Sequence, residues 1–527
     1  MATAEAPYSA GSGGDSNELA GFGYKQELDR SLGSFSSFAA GFSYISILTG
    51  VFELFGFGFN NAGPAVWWSW LVVLSGQMAV ALCFAELAGQ YPLAGSVYQW
   101  SKRVAGDFAS WMTGWIYIVG SFVTVAAVAV AWQVVLPQVS TKFEFVGSAA
   151  DAGTYSTANG AKNAIILGAI LVVFATIINM LGVKIMARVN NFGVLAELIG
   201  STILVILLLF HIHRGPQVIV HNLGLGQGHP WGYFGAFIVG GIMSAYVMYG
   251  FDTAGTLAEE TNDPRRAAPP AIWRALIAAG IIGGALLLLA MMDVRTVTDK
   301  NIGLLGLPYI VKQALGNTVG NVFLIDSALA ITVCTLAIET ACIRLLFAMA
   351  RDGRLPFGDS IARVSGRRKV PIVPALVTGI ITLGLLSLNI ANQSAFLTLT
   401  SVAIVMFYLC YLGITGPMLL RRLRGTWPTP EHGNYFSLGR FGTAVNLGAV
   451  LYGAVVAFNI AWPRAAVYGT AWYFKWGAYE FVGATIVLGA IWYFAVYAKK
   501  PIEVIEAHRA DPQFDLRTPA GLGEMAP

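Results

Sequence analysis

The sequence predicts an all-α integral membrane protein with about twelve transmembrane helices. Of its 527 residues, 56% are hydrophobic and only 11% are charged, whereas soluble domains carry about 25% charged residues. The apolar residues gather into runs of about 18 to 25, the helix length that crosses a hydrocarbon core of about 30 Å. The 60 glycines and 12% aromatic residues are typical of helices packed closely in lipid.

Twelve apolar runs define the expected spans, with boundaries good to about four residues. An even number of spans places both termini on the same side of the membrane. The runs, numbered as spans 1 to 12, are 33–59, 65–88, 109–136, 163–183, 190–212, 232–258, 271–292, 319–349, 371–390, 394–419, 442–462 and 475–498.

The basic residues predict the orientation. The side that holds the termini carries 23 Lys and Arg, the opposite side carries eight, and Arg344 lies inside span 8. By the positive-inside rule we expect a multi-pass protein of the cell membrane with cytoplasmic tails at 1–30 and 499–527. The first tail has no basic n-region and does not resemble a signal peptide.

Composition and motifs disfavour several function classes. The net charge of +4 is spread over the loops and predicts no nucleic-acid partner. The four cysteines lie in apolar segments without metal-ligand spacing, so we interpret them as core residues and expect no metal and no cofactor. No His-Glu-x-x-His and no phosphate-binding loop is present, which argues against an enzyme and an ATP-driven pump. A channel or sensor is a remote alternative.

Spans 1 and 6 look interrupted. An unwound helix is tolerated within a membrane only where it lines a cavity or is buried in protein, and spans five apart are related in this way in inverted repeats. The alternative is that the glycines merely allow close packing. The candidate substrate-binding residues at the two interruptions are Ser46, Thr49 and Gly50 in span 1, and Tyr246, Tyr249, Gly250 and Asp252 in span 6.

Two acids within spans are candidates for function. A carboxylate in a span costs about 2.5 to 3.5 kcal/mol to insert, so it is expected to face a wet cavity or a partner. Asp252 is suited to hold a substrate ammonium or a coupling proton, or instead to cap free backbone amides. Glu197 is a second coupling-ion candidate, with a hydrogen bond to a neighbouring helix as its structural alternative. Glu53 and Glu339 are weaker candidates, and Arg344 is expected to pair with an acid or to anchor at the interface.

Aromatic residues accumulate near both interruptions. Aromatic faces could occlude a substrate or make cation–π contacts with an amine, although packing is the alternative for each ring taken singly. The residues are Tyr44, Phe52, Tyr246, Tyr249 and Phe251, together with Trp132 in span 3 as a further substrate-binding candidate.

Four groups of motifs resemble the amino acid, polyamine and organocation transporter superfamily, and within it the amino acid/choline transporter family that includes GABA and choline permeases. The resemblance covers roughly 24–500. The motifs are Gly41-Phe42-Ser43 through Thr49-Gly50; Ala85-Glu86-Leu87 with Tyr91-Pro92-Leu93-Ala94-Gly95-Ser96-Val97-Tyr98; Gly250-Phe251-Asp252 with Glu259-Glu260-Thr261 and Pro264; and Ala348-Met349-Ala350-Arg351-Asp352-Gly353-Arg354-Leu355-Pro356.

The resemblance implies a LeuT-like core of five plus five inverted-repeat helices, with helices 1 and 6 discontinuous and two peripheral helices. The repeats would span 31–213 and 214–420, followed by helices 11 and 12 in 421–498. Alternating access would come from rocking of a bundle of spans 1, 2, 6 and 7. Glu86, Tyr98, Arg351 and Asp352 lie in motifs expected to form cytoplasmic gates and hinges.

In similar proteins a substrate carboxylate binds backbone amides after the span 1 break, which in this chain are those following Thr49 and Gly50. The substrate amine binds backbone carbonyls of the span 6 break, here between Ala245 and Gly250. Some bacterial relatives carry a lysine in span 5 for proton coupling. This chain has Glu197 there, so that lysine mechanism does not transfer directly.

The leading hypothesis is therefore a proton-coupled secondary transporter, a permease that imports an amino acid such as GABA by symport. Sodium is the alternative coupling ion. The nearest rival keeps the fold and carries an organic cation, such as choline, a polyamine or a guanidinium or urea-type compound.

Overall fold

The computed structural model describes residue 19 and residues 22–155, 157–227, 229, 231–388, 395–429 and 435–498. The predicted tail at 499–527 and most of the tail at 1–30 lie outside the described residues. Within the described residues each predicted apolar run lies mostly in helix, with 248–252 of span 6 unwound. The largest difference is at Lys300–Arg351, which begins ahead of the run at 319–349 because shorter helical pieces precede it, joined at Gly306 and Gly316 with φ of 65° and 76°.

The first half of the chain forms eleven α-helices among the described residues. They are α1 Ser34–Ile45, α2 Ile47–Ala62, α3 Trp67–Gln90, α4 Ser96–Val104, α5 Asp107–Ala129, α6 Trp132–Val139, α7 Ala158–Leu181, α8 Val183–Leu209, α9 Gly232–Gly240, α10 Ile242–Val247 and α11 Thr253–Thr256.

The second half forms nine more among the described residues. They are α12 Pro264–Asp293, α13 Lys300–Arg351, α14 Gly358–Ile361, α15 Ile372–Leu388, α16 Ala395–Leu423, α17 Gly442–Ala461, α18 Ala465–Tyr468, α19 Trp472–Lys475 and α20 Gly477–Trp492. Single 3-10 turns lie at Gly63–Val66, Thr141–Phe143, Ala149–Asp151, Pro216–Val220, Ala258–Glu260 and Gly439–Phe441, and a π turn follows at Tyr493–Tyr497.

In the described part of the chain, nine helical segments are long and apolar enough to cross a membrane. The segment Ser34–Gln90 has 57 residues, about 85 Å at 1.5 Å per residue. It is therefore more than one crossing, and it turns at Gly63, whose φ is +64°. Gly232–Val247 and Ile372–Ser387 are shorter apolar helices. The described part of the protein is thus all-helical, and the protein is multi-pass.

Burial separates central helices from peripheral ones. In Asp107–Val139, 89% of the most apolar window is buried, against 28% in Gly439–Ala461 and 22% in Gly477–Tyr497. Large apolar side chains on the last two segments, such as Leu451, Val455 and Leu488, are exposed. Because such surface is expensive in water, it marks the face turned to lipid. The last helices lie at the periphery and α5 in the centre.

The interrupted segments lie in the middle of the helix bundle. α13 packs on α2, α5 and α8; α12 packs on α1 and α3; and α10 packs on α2. Both segments that the sequence predicted to be interrupted are therefore surrounded by other helices rather than by lipid.

We call the end of the bundle that carries 352–371 the basic end, and the end that carries 140–157 the opposite end.

Candidate functional site

The first interruption is a single residue between α1 and α2. Ser46 has φ 32° and ψ 99°, a backbone conformation that L-residues adopt at a cost in strain. Its N–H still donates to Phe42 O at 2.8 Å, so α1 closes normally. The α-helical ladder then restarts at Ile47, which leaves the first amides of α2 available to an acceptor.

A carboxylate from another helix fills that position. Glu197 Oε1, from α8, accepts hydrogen bonds from the Leu48 N–H and the Ser46 hydroxyl, both at 3.0 Å. Glu197 is fully buried, and its second oxygen, Oε2, has no hydrogen-bond partner among the described residues. An anion at a helix amino end is stabilised by the free N–H groups and by the helix dipole. Glu197 therefore occupies the kind of position expected for a substrate carboxylate.

The second interruption is longer. α10 ends at Val247 and α11 begins at Thr253. Gly250 between them has φ +89°, in the region that only glycine adopts without strain. A β-carbon there would lie 1.8 Å from Tyr44 Cδ1, so the Tyr44 ring packs directly on the Gly250 backbone. The two interruptions are therefore in contact.

A second close approach joins the same helices. A β-carbon on Gly50 of α2 would lie 2.6 Å from Val247 Cγ2, at the end of α10. Only glycine at position 50 allows the two backbones to come this close. The sequence left open whether the glycines of spans 1 and 6 interrupt the helices or only allow close packing. In the structure Gly250 lies in a helix break, and both Gly50 and Gly250 allow a close contact between the two spans.

A small cavity lies where the interruptions meet. Its volume is about 10 Å³, roughly the room that one water molecule needs. A solute therefore fits there only after the surrounding side chains move apart. The lining residues are Tyr44, Ile45, Thr49, Gly50, Thr124, Val128, Tyr246, Tyr249, Cys334 and Ile338.

The cavity is largely enclosed by aromatic rings. Tyr44 and Tyr249 meet edge to face at 5.9 Å between ring centroids, and Tyr249 lies 6.1 Å from Tyr246. Phe407 of α16 lies 4.8 Å from Tyr249 and 6.0 Å from Tyr44. These ring faces offer an apolar wall and a cation–π surface to an amine.

Asp252 lies behind this wall, held by two tyrosines. Its Oδ2 accepts from the Tyr117 hydroxyl at 2.8 Å and its Oδ1 from the Tyr411 hydroxyl at 2.5 Å. The Tyr411 oxygen also accepts from the Gly250 N–H at 2.8 Å. The side chain of Asp252 makes no capping bond to α11. In this conformation the carboxylate is a hub that ties α5 and α16 to the span 6 interruption.

Not every predicted binding residue reaches the cavity. Thr49, Gly50, Tyr246 and Tyr249 line it. Ser46 instead bonds to Thr49 and Glu197 behind the wall. Trp132 lies elsewhere, with its indole N–H on Ala328 O of α13 at 3.0 Å, because α6 begins a new helical segment there.

The other acids of the spans have different surroundings. Glu339 accepts from the Thr176 hydroxyl at 2.6 Å, a bond between α13 and α7. Arg344 pairs with Glu260 at 3.0 Å, and both side chains are buried. Glu53 has no hydrogen-bond partner on either oxygen among the described residues. It lines an open vestibule of about 360 Å³ toward the opposite end of the bundle.

The predicted gate residues form an ion-pair network at the basic end. Asp352 accepts from the Lys102 ammonium at 2.7 Å and from the Tyr24 and Tyr98 hydroxyls, both at 2.9 Å. Burial disfavours the charged form of Asp352, but the Lys102 ammonium outweighs it and holds the pKa of this carboxyl below its usual range.

Next to this pair, Arg351 clamps Glu259 with two hydrogen bonds of 2.8 and 3.0 Å and lies 4.1 Å above the Tyr24 ring. The chain at Ser31 and Leu32 also bonds to Glu260 O. The amino-terminal segment, α4 and the end of α13 are thus tied together, and the basic end is closed.

Glu86 belongs to a separate cluster. Its carboxylate accepts from Arg422, from the Trp427 indole at 2.9 Å and from the Leu438 N–H at 3.0 Å. It fastens the connection between α16 and α17 to the end of α3. Its acceptors are fully used within the protein.

Sequence reasoning missed residues contributed by α5, α13 and α16. Thr124, Cys334 and Phe407 lie in apolar runs with nothing local to set them apart. Tyr117 and Tyr411 carried a weak signal, since a tyrosine in the middle of a span needs a partner for its hydroxyl. Their partner, Asp252, was identifiable, but not the pairing.

Two interrupted helices enclosing a small buried cavity in a multi-pass bundle define a permease-type membrane protein. The chain belongs to the amino acid permease family of the amino acid, polyamine and organocation superfamily, since the family model described as "Amino acid permease" matches residues 32–491. This confirms the superfamily that the motifs indicated.

Several curated proteins are similar over most of their length. The amino-acid permease BAT1 of Arabidopsis thaliana is 30% identical over 465 residues, covering 84% of this chain and 87% of the relative. The branched-chain amino acid permease BcaP of Bacillus subtilis is 29% identical, covering 72% and 81%. A methylthioribose transporter of the same bacterium is 28% identical with the same coverage.

Proposed function

We propose that this protein is a secondary active transporter that imports an amino acid or a related small amine, such as GABA, in symport with protons. The observation that carries the proposal is the buried cavity at the meeting point of the two interruptions, with the Glu197 carboxylate on the amino end of α2. The names of the amino acid permeases from Arabidopsis thaliana and Bacillus subtilis support an amino acid as cargo.

The proposed architecture is a LeuT-like core of two inverted repeats, 31–213 and 214–420, followed by two peripheral helices in 421–498. Twelve crossings result if Ser34–Gln90 counts as a hairpin and the two shorter apolar helices also cross. The interruptions at Ser46 and at 248–252 then occupy matching places in the two repeats. The exposure of α17 and α20 supports their peripheral place.

The proposed orientation puts the basic end in the cytoplasm. The conformation is then closed inside by the Asp352 and Glu259 networks and has a vestibule outside, next to the cavity. Alternating access would require these inner ion pairs to break as the outer vestibule closes. Cysteine accessibility of the loop at 352–371 from each side of the membrane tests this orientation directly.

Glu197 is the proposed carrier of the coupled proton. As a carboxylate it is stabilised by the Leu48 N–H and the Ser46 hydroxyl. As a neutral acid it would hold these groups less tightly, and a substrate carboxylate could replace it on α2. Binding of proton and of substrate would then favour each other, which is the requirement for symport.

Uptake in proteoliposomes tests the proposal. The purified protein is reconstituted and given an inward proton gradient, with and without sodium, and radiolabelled GABA, leucine, lysine, choline and putrescine are offered in turn. Concentrative uptake of an amino acid that is abolished by a protonophore supports proton symport. Uptake that never exceeds equilibrium contradicts active transport and favours a channel. Uptake that requires sodium would show that sodium, and not the proton, is the coupling ion.

One observation favours an organic-cation permease of the same fold as a second candidate. Glu197 already occupies the amino end of α2, and a choline or polyamine has no carboxylate to displace it. The cation would be held by the ring faces of the tyrosine walls, with the Asp252 carboxylate behind them as the nearest negative charge. Choline or putrescine that competes for uptake at concentrations where GABA and leucine do not would favour this candidate.

A further inference from the structure

One acid near the cavity makes no hydrogen bond of standard geometry to any described residue. Glu53 of α2 is 8% exposed, and neither of its carboxylate oxygens has a hydrogen bond from a described residue. No ion pair to it is formed among the described Lys, Arg and His side chains either. A carboxylate buried this deeply is normally paired or hydrogen-bonded, because an unpaired one is unstable in a membrane.

The surroundings of Glu53 are aromatic and polar but not basic. The carboxylate lies next to the Tyr246 hydroxyl, although among the described residues no hydrogen bond of standard geometry joins the two. Tyr155, Phe57 and Asn60 line the same vestibule, with Asn60 about two helical turns beyond Glu53 along α2. The vestibule that the carboxylate lines has a volume of about 360 Å³.

Glu53 is also close to the enclosed cavity. It lies one helical turn from Thr49 and Gly50, which line that cavity. Tyr246 connects the two places, since it lines the cavity and its hydroxyl lies next to Glu53. A solute whose backbone groups lie between the interruptions can therefore reach Glu53 with a long side chain.

The geometry points to a subsite at Glu53 for the distal positive charge of an amino acid with a cationic side chain, such as lysine or arginine. This inference rests on the proposed transport function and names its substrate class. The carboxylate pairs with the side-chain ammonium or guanidinium, and the Tyr246 hydroxyl and the neighbouring rings complete the site. An ion pair formed in a buried place is worth more than one at the surface.

The test compares a cationic with a neutral amino acid in the same proteoliposomes. In the wild type, lysine is expected to be taken up with a lower KM than leucine. Glu53→Gln, which keeps the size and the hydrogen-bonding shape, is expected to raise the KM for lysine about 10- to 100-fold, the range for loss of one charge-assisted bond. The KM for leucine is expected to change less than threefold.

Two further variants guard against a purely structural effect. Glu53→Asp keeps the charge and is expected to recover part of the lysine affinity; size exclusion and thermal unfolding show whether each variant is folded. Glu144→Gln removes an acid from the loop at the same end of the bundle and should leave both KM values unchanged.

Three outcomes overturn the subsite. They are a wild type that takes up leucine but not lysine, a Glu53→Gln variant that keeps lysine affinity, and a variant that loses both substrates equally. Each of these leaves amino acid transport in place. Failure of the wild type to take up any amino acid or amine would instead refute the proposed function itself.

Discussion

Glu197 Oε1 accepts the backbone N–H of Leu48 at 3.0 Å, so that the acid of one helix closes the amino end of another 149 residues away in the chain. The bond joins α8 to the interrupted helix that lines the cavity. It connects the protonation state of a buried acid to the geometry of the cavity wall, on which the first prediction depends.

Glu197→Gln should flatten the pH dependence of uptake. Glutamine can still accept from Leu48 through its amide oxygen, so the helix end stays capped, but the side chain can no longer gain or lose a proton. Uptake measured from pH 5 to 8 in proteoliposomes checks this. Glu339→Gln, which alters another acid buried in a span, should keep the wild-type profile. A Glu197→Gln profile of unchanged shape would place the coupling site elsewhere.

Asp252→Asn should leave expression intact and lower uptake about tenfold or more. The amide can accept from only one of the two tyrosine hydroxyls, and hydrogen bonds to a charged group contribute about 1.5 to 3 kcal/mol. Tyr411→Phe should lower uptake in the same direction, because it removes the link between Asp252 and the Gly250 N–H.

The matched control for Asp252→Asn is Tyr452→Phe. It deletes a tyrosine hydroxyl that lies outside the cavity lining and is hydrogen-bonded to the Tyr408 hydroxyl, with 2.8 Å between the two oxygens. It should transport at close to the wild-type rate. Wild-type uptake by Asp252→Asn would mean that Asp252 serves packing alone.

Gly250→Ala should destabilise the protein by about 2 kcal/mol or more. The new methyl group would overlap the Tyr44 ring, and alanine is strained at φ +89°. Thermal unfolding in detergent measures the effect. Gly448→Ala on α17 meets no atom within 4 Å and should leave the unfolding temperature nearly unchanged. An equal unfolding temperature for the two variants would show that the close contact of Tyr44 with Gly250 does not stabilise the protein.

Lys102→Met should weaken the closure of the basic end. It leaves the buried Asp352 carboxylate without its ammonium partner, a loss that typically costs about 3 to 5 kcal/mol for a buried pair. In a background with Cys83, Cys342 and Cys410 replaced, maleimide labelling of Cys334, which lines the cavity, should become faster from the basic end. Lys184→Met removes an exposed pair with Asp29 and should not change the labelling rate.

The same pair has a defined pH dependence. Because the pKa of Asp352 is held below its usual value of about 4, its contribution to closure is complete above that value and is lost only as the pH falls through the lowered pKa. Between pH 5 and 8 the Cys334 labelling rate should therefore not change on account of this pair. A change within that range that Lys102→Met abolishes would contradict this account.

Local pattern explains why so much of the architecture was predictable. The apolar runs coincide with the helices of the structure, and the glycine-containing segments around Ser46 and Gly250 do unwind. Both follow from short-range chemistry, since lipid demands long apolar helices and glycine relieves backbone strain. Trp132 shows the limit of such reasoning. Its place in span 3 suggested the cavity, but the direction of its ring depends on how α6 continues from α5.

By itself the sequence determined that this chain is a multi-pass membrane protein of the permease kind, where its apolar helices lie and that spans 1 and 6 are interrupted. Only the tertiary structure decided that Glu197 caps α2, that two tyrosines hold Asp252 and that Glu53 faces a vestibule with no standard hydrogen bond from a described residue. The physical reason is that these contacts depend on the rotation and tilt of packed helices. The hydropathy of a helix leaves that rotation undetermined, because lipid and protein interior are similarly apolar.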